Sequence, residues 1–336
     1  MRIAIAGAGA VGSVVAGYLL QQGEHEVSLL ARGAHLDAIR ARGLVVQSND
    51  RRFTSRPTAS DDPHALGPQD FVLVTAKGHA LPAMAPTLTP LLGPETLVVS
   101  AQNGLPWWYF YGTDGPEADT PFETVDPGGI IWRAISPARA LGCVINIPAS
   151  IAEPGVAHHA GRLRLHLGAP RTGDHAAALS RIVDAIERTG IACNNTAQIR
   201  HEVWSKLLLN NASGTISVLT GRTMGEIRQE PALLGTQQRL MRECLAVAHA
   251  WGVDIADEVD QELAKPPSAP GHKTSMLQDY EAGRPLELDP IVTAVIELAH
   301  RRQVPVPTIE SLWALTRIKL GLPSRAPAVP TLVRQG

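Results

Sequence analysis

Lys206 and Asn210 stand four residues apart in Trp204-Ser205-Lys206-Leu207-Leu208-Leu209-Asn210-Asn211, so a helix would set both on one face. Lys206 lies among apolar positions. An ammonium beside a carbonyl that is receiving a hydride can protonate the oxygen, and its charge stabilises the alkoxide as it forms. The competing reading of this spacing is a solvated lysine on an amphipathic helix. Further along, Thr274-Ser275-Met276-Leu277-Gln278 fits a Ser-x-x-Gln capping box that starts at Ser275. A hydroxyl joined to helix-terminal amides also makes a site for a carboxylate. In Leu286-Glu287-Leu288-Asp289-Pro290, Asp289 reads as an N-cap with proline in the first turn. Glu287 is left just ahead of that helix, between leucines, as either a rim charge or the partner of a buried cation.

A second set of residues lies near the N-terminus. Arg2-Ile3-Ala4-Ile5-Ala6 reads as a short apolar strand. It runs into Gly7-Ala8-Gly9-Ala10-Val11-Gly12, and Val14, Val15, Tyr18, Leu19 and Leu20 follow at helical spacing. Strand, G-x-G-x-x-G and helix in that order point to a dinucleotide-binding turn, against the plainer reading of a glycine-rich turn that binds nothing. Gly7 permits the sharp turn, Gly9 lets backbone approach a pyrophosphate, and Gly12 lets the helix pack closely while the first amides, through Ala10 and Val11, face the anion. The next strand, Glu26 to Ala31, is followed by Arg32, where an NAD-specific domain usually places an acid. A carboxylate would repel a 2′-phosphate, whereas a guanidinium can bind it through two charge-assisted hydrogen bonds, so NADPH is expected rather than NADH. The plainer reading is a solvated arginine at a strand end. The strands Asp70 to Thr75 and Thr96 to Ser100 are followed by Lys77 and Asn103, at the edge where open α/β sheets bind ligands.

The elements that must position these residues alternate through the first half. A short helix is expected over 34–42, a hairpin over 44–47 and 51–54, and a helix from past His79 to about Leu92. Asp70 to Thr75 is nearly all apolar, as in a strand buried on both faces of a parallel sheet. Between 105 and 139 the pattern is irregular. Trp107, Trp108, Tyr109, Phe110 and Tyr111 cluster there, and read as a packed flap in preference to a pocket lining. Strands are expected near 143–147, 155–158, 162–167 and 191–193, with a helix over 174–189. From Gln198 helical periods take over, at 203–219, 230–251, 259–264, 275–281, 290–302 and 308–320. Alternation followed by helices alone implies an α/β domain joined to an all-α domain. The expected division is a dinucleotide-binding domain over 1–195, a helical substrate and catalytic domain over 196–323, and a coil tail over 324–336.

With 336 residues and 44% hydrophobic side chains the chain has material for two cores. A formal charge of −2 gives no electrostatic footprint for nucleic acid or an anionic membrane. The three cysteines, Cys143, Cys193 and Cys244, lie too far apart for a C-x-x-C pair, so neither a disulfide framework nor a metal site is expected. A reducing cytoplasm fits this pattern. The N-terminal apolar run is interrupted by glycines and serves as the first strand, so it is not read as a secretion signal.

Taken in order, the Gly7 to Gly12 turn, Arg32, Lys77, Gln102-Asn103-Gly104, Lys206 with Asn210, Ser275-Met276-Leu277-Gln278-Asp279 and Glu287-Leu288-Asp289 resemble the ketopantoate reductase (2-dehydropantoate 2-reductase) family over nearly the whole chain. The resemblance implies a Rossmann-type NADP-binding domain, then a helical domain like the C-terminal part of 6-phosphogluconate dehydrogenase, with the active site in the cleft between them. It implies that Lys206 is the general acid and that Glu287 binds the hydroxyl end of the substrate and helps hold the lysine's charge. Asn103 and Lys77 would lie at the cofactor and substrate, Asn210 would hydrogen-bond substrate, and Ser275 would receive its carboxylate. NADPH would reduce a small 2-keto acid, in pantothenate synthesis, with a homodimer left open. Two departures touch the substrate side: Gly214 stands where many members carry asparagine, and the aromatic stretch over 106–139 is longer than compact members need. A paralogue acting on another 2-keto acid and a non-catalytic NADP(H)-binding sensor therefore remain as alternatives. Lys206, Asn210, Ser275 and Glu287 argue against the sensor, because binding alone would not require them.

Overall fold

Ile3, Ala4, Ile5 and Ala6 are all fully buried on strand β1 (Arg2–Ala6), which sets it inside a sheet with both faces covered. The chain continues through α1 (Ala10–Gln22), β2 (Glu26–Leu30), α2 (Gly33–Arg42), β3 (Leu44–Gln47), β4 (Arg52–Ser55), β5 (Thr58–Ser60), β6 (Gln69–Val74), α3 (Leu81–Met84) and β7 (Leu92–Ser100). After the aromatic-rich connection come α4 (Ile130–Ile135), β8 (Ala140–Asn146), β9 (Ala149–Glu153), β10 (Val156–His159), β11 (Arg164–Gly168), α5 (Ala176–Glu187) and β12 (Ala192–Asn195). Eight strands form one sheet in the order β12-β11-β8-β7-β6-β1-β2-β5. All neighbours from β5 to β8 are parallel. β11 runs antiparallel to β8, and β12 parallel to β11. Ile5 pairs with Leu29 on one side and Leu73 on the other. The strand order reverses at β1, so the crevice beyond its carboxyl end is the topological switch point at which such sheets bind ligands. A smaller sheet, β4-β3-β10-β9, packs against α1, where Tyr18 meets Phe53 edge to face with ring centres 5.3 Å apart.

The computed structural model describes residues 1–265 and 271–323, and the chain divides into two compact units, Met1–Ile199 and Arg200–Gly336. The coil expected over 324–336 lies outside the described residues. The second unit is helical, with α6 (Ile199–Thr220) entering from the last residue of the first, then α7 (Met224–Gln229), α8 (Pro231–Ala250), α9 (Ala256–Ala264), α10 (Ser275–Glu281), α11 (Ala294–Arg301) and α12 (Pro307–Lys319). α8 buries Leu240, Met241, Cys244, Val247 and Ala248, the stripe expected of one helical face. The Glu243 carboxylate accepts the amides of Thr308 and Ile309, each at 2.9 Å, and so caps α12. Burial pushes the Cys193 and Cys244 thiols up to about 12, so both behave as small apolar groups. No helix among the described residues is long and apolar enough to cross a membrane.

An α/β unit followed by helices is what the alternation of patterns implies. The helix expected from His79 to Leu92 is the main departure. Pro82, Pro86 and Pro90 recur every four residues, each lacking the N–H that would bond one turn back, and only α3 is α-helical between two 3-10 stretches. The aromatic segment is packed: Trp107, Trp108, Tyr109, Phe110 and Phe122 are buried, and Trp107 Nε1 donates to Ser100 Oγ at 3.0 Å. α7 went unread, although Thr223 and Glu226 form a complete capping box at its start.

A Cβ at Gly12 would lie 2.8 Å from Ile5 Cγ2 and 3.0 Å from the Gly7 oxygen, and would overlap Thr75 Oγ1. Gly12→Ala is expected to lower stability by about 1–3 kcal/mol, measured from the midpoint of chemical denaturation. At Gly9 the nearest atom to a Cβ is the Gly7 oxygen at 3.9 Å, so Gly9→Ala should leave the midpoint within ~0.5 kcal/mol.

Candidate active site

Parallel strands bring their carboxyl ends to one edge, and that edge of the first unit collects the turn after β1, Arg32 after β2, Lys77 after β6 and Asn103 after β7. The turn is held by backbone. Gly7, at φ +88°, donates its N–H to Leu30 O at 3.1 Å, and its oxygen accepts Thr75 Oγ1 at 2.7 Å. A Cβ on Gly7 would lie 2.8 Å from the Ala76 nitrogen, so the close approach of the two loops requires glycine there. Gly9 opens α1 without a side-chain cap, and the first turn carries no acid. The amides of Ala10, Val11 and Gly12 therefore have no acceptor within the helix, and they form its positive end. Uncapped amides beside an exposed glycine with open space at its missing Cβ fit a dinucleotide pyrophosphate.

Arg32 is exposed at the N-cap of α2, whose first turn also lacks an acid, and it forms no hydrogen bond or ion pair with any described residue. Its guanidinium is available to an anion. Lys77 is half-buried and opens the 3-10 turn Gly78–Ala80. Asn103, also half-buried, follows a pinned neighbour: Gln102 Nε2 donates to Val74 O at 2.7 Å, and its Oε1 accepts Ser100 Oγ at 2.7 Å.

In the second unit Lys206 and Asn210 lie half-buried, one turn apart on α6. Two bonds tie this helix to the other expected site segments. Ser217 shares a 2.6 Å hydrogen bond with Thr274, the residue before Ser275. Asn211 Nδ2 donates to Ile291 O at 2.9 Å, four residues past Glu287. Glu287 is only 6% exposed, which rules out the rim-charge reading, since a carboxylate buried so far requires a cation or several donors. Asp289 is not an N-cap: Leu288 already has helical torsions, and Asp289 begins a π turn, Asp289–Thr293, where its Oδ1 accepts Thr293 Oγ1 at 3.0 Å.

The capping box expected at Ser275 is also absent. Thr274 is the N-cap, accepting the Leu277 amide at 3.1 Å, while Gln278 Nε2 turns back to Lys273 O at 3.0 Å. Ser275 is thereby left exposed in the first turn with its hydroxyl unused by the helix. At Gly214 a Cβ would stand 3.1 Å from Met276 Cε and 3.2 Å from its Sδ. Met276 thus fills the space that a longer side chain at 214 would need. Two residues the pattern did not single out support the candidate residues, one within each unit. Thr75 holds the Gly7 oxygen and is signalled by a hydroxyl ending an apolar strand. Asn211 anchors the π turn and is signalled by Leu207 and Leu208, four and three residues earlier, which set it on an apolar face about 100° round the helix from Asn210.

Comparison with known proteins places these geometries among relatives. A family model described as ketopantoate reductase PanE/ApbA matches residues 3–172, and its C-terminal counterpart matches 198–319. A 2-dehydropantoate 2-reductase of Mesorhizobium japonicum is 38% identical over 94% of this chain and 97% of its own length. One from Caulobacter vibrioides is 31% identical over 85% and 88%. The crystal structure of 2-dehydropantoate 2-reductase from Methylococcus capsulatus superposes with a TM-score of 0.79 at 26% identity, covering 95% of this chain and 97% of that one. A D-mandelate dehydrogenase solved with NADH shares the fold at 21% identity and a TM-score of 0.78, covering 96% of this chain and 100% of that one.

Thr274 and Ser275 should separate in a denaturation experiment. Thr274→Ala removes the cap and the tie to Ser217, and should cost about 1 kcal/mol. Ser275→Ala should stay within ~0.5 kcal/mol of the parent.

Proposed function

The chain belongs to the ketopantoate reductase family, and from that premise we propose that it is an NADPH-dependent reductase converting 2-dehydropantoate to pantoate, a step of pantothenate synthesis. The observation that carries the cofactor choice is the uncapped start of α1 beside an unpaired Arg32, at the strand end where an acid would select NADH. When bound, NADPH supplies a hydride from C4 of the nicotinamide to the keto carbon.

The chain's own residues do the rest. The Gly7, Gly9 and Gly12 backbone and the amides of Ala10 and Val11 hold the pyrophosphate, and Arg32 forks onto the 2′-phosphate. Lys77 and Asn103 border the cofactor and the substrate. Ser275 donates to the substrate carboxylate, and Asn210 fixes the substrate by a further hydrogen bond. Lys206 delivers a proton to the keto oxygen, and its ammonium stabilises the negative charge that grows there. Glu287 holds the hydroxyl end of the substrate and keeps the lysine charged. Support for this arrangement comes from α6, which carries Lys206 and Asn210 and is bonded to the segments of Ser275 and Glu287.

A second reading, reduction of a different 2-keto acid by the same steps, is favoured by Met276 against Gly214, because that buried contact, one residue from Ser275, takes the space a longer side chain at 214 would need. Steady-state assays with NADPH and a panel of linear and branched 2-keto acids decide between the two. With the preferred substrate, Lys206→Ala should lower kcat by about 10²–10⁴-fold while leaving NADPH affinity unchanged. Arg32→Ala should weaken NADPH by about 10–100-fold and NADH far less, as direct binding would show. A parent enzyme that prefers NADH, with turnover indifferent to loss of Lys206, would refute the proposal.

A further inference from the structure

Ser13 is fully buried in α1, and its hydroxyl donates to the Ala8 oxygen of the glycine turn at 3.2 Å. His35 Nε2, on α2, lies 3.1 Å from Ser13 Oγ. The N–H of Gly155, in the turn between β9 and β10, donates to His35 Nδ1 at 3.1 Å. A donor aimed at Nδ1 fixes the tautomer: Nδ1 holds the lone pair and Nε2 carries the proton. Nε2–H then donates to Ser13 Oγ, and the one proton of that hydroxyl is left for Ala8. The relay has a single direction, from the Gly155 amide through His35 and Ser13 to the Ala8 carbonyl.

That carbonyl belongs to the Ala8–Gly9 peptide, immediately before the uncapped amides of α1. Ala8 is held on its other side as well, its N–H donating to Leu30 O at 3.3 Å. Directed at the buried hydroxyl, the carbonyl's negative end is kept from the anion site. A flipped peptide would present an oxygen to the pyrophosphate and oppose the field of the helix end. We propose that His35 is a positioning residue for the dinucleotide turn: acting through Ser13, it locks the Ala8 carbonyl inward and so raises affinity for the cofactor's pyrophosphate. This rests on the dinucleotide reading of the turn.

The lock depends on a neutral imidazole. Burial holds His35 below its usual value near 6.5. α1 carries no charged side chain; Arg32, Asp37, Arg40 and Arg42 on or beside α2, and Glu153 and His158 on the β9–β10 hairpin, make no hydrogen bond to the ring among the described residues. Protonation would set an N–H at Nδ1 against the Gly155 N–H and remove the first acceptor of the relay. The folded value is the lower one, so the lock is intact above about pH 6.5 and is lost as pH falls through that lowered value.

Titration calorimetry with NADP+ tests this in the full chain, with adenosine 2′-phosphate, which has no pyrophosphate, as a second probe. Ser13→Ala and His35→Leu should each weaken NADP+ by about three- to tenfold. The double variant should be no weaker than His35→Leu alone, because both break one relay. Adenosine 2′-phosphate should bind all of them alike. His35→Gln keeps a donor and an acceptor without titrating, and should match the parent at about pH 8 while lacking the parent's extra loss of affinity as pH falls through the lowered His35 value. Additive single effects, equal weakening of adenosine 2′-phosphate, or the same pH dependence in the parent and His35→Gln would each overturn the proposal. If His35→Leu does not fold, unchanged NADP+ affinity in Ser13→Ala overturns it by itself. A parent that binds neither NADP+ nor NAD+ removes the dinucleotide reading as well, a result distinct from binding that ignores both residues.

Discussion

The turn after β1 exists because two stretches of backbone touch with no side chain between them. Gly12 lies against Ile5, Thr75 and the Gly7 oxygen, and Gly7 lies against Ala76. Glycine costs roughly 0.5–1 kcal/mol of chain entropy at a regular position. That cost is offset by what surrounds it, since β1 is buried on both faces, Leu30 O and Thr75 Oγ1 bond directly to the turn, and the Thr75 amide donates to Ala6 O just before it. Anion recognition by main-chain amides follows from this contact. If α1 stood further from the sheet, the same amides would lose their fixed direction, and the helix end would remain positive but unaimed.

The helical unit solves its positioning problem with side chains. α6 buries Asn211, Ser213, Thr215 and Ser217 in succession, where an ordinary core helix would bury aliphatic groups. Three of them bond to other segments: Asn211 to the π turn, Ser213 to Gln237 on α8, and Ser217 to the cap of α10. A buried hydrogen bond adds only about 0.5–1.5 kcal/mol net, but leaving one partner unsatisfied costs about 1–3 kcal/mol. Such bonds therefore act mainly on register, by making wrong placements of α8, α10 and the π turn against α6 expensive. Lys206 and Asn210 precede these residues on the same helix and inherit their placement. The π turn lies between the Glu287 segment and α11, and Asn211 of α6 bonds to it at Ile291 O.

What could be read from the sequence follows from where its signals are local. The alternation of strands and helices, the glycine turn with its flanking strand and helix, and the polar residues past β6 and β7 are all short-range patterns, and the fold displays them. Local signals failed where two of them competed. Thr274 and Ser275 are both able caps, and the choice between them is made by Ser217, 57 residues away in the chain. The proline spacing that turns the 78–92 stretch into 3-10 helix was present, yet was outweighed by its apolar content. Asp289 followed by proline is a sound start signal, but Leu288 and the bond from Asn211 to Ile291 extend the helix past it. The relay through Ser13, His35 and Gly155 joins three elements separated by up to 142 residues, and no window on the sequence would contain it.

The two units consequently tolerate change differently. In the first, the groups that a dinucleotide would meet are main-chain amides, and a substitution there acts through the packing that fixes the loop, as at Gly7 and Gly12. Few substitutions survive such packing, so this half is expected to vary little among chains that keep the cofactor. In the helical unit the candidate groups are side chains on helices whose register is fixed elsewhere, by Asn211, Ser213 and Ser217. At position 214 only the main-chain oxygen takes part in these bonds, accepting Ser217 Oγ at 2.9 Å, so the side-chain space there is left to the thioether of Met276. Under the proposed reading, a reductase built this way changes the surroundings of Ser275 while retaining both its glycine turn and the placement of Lys206 on α6.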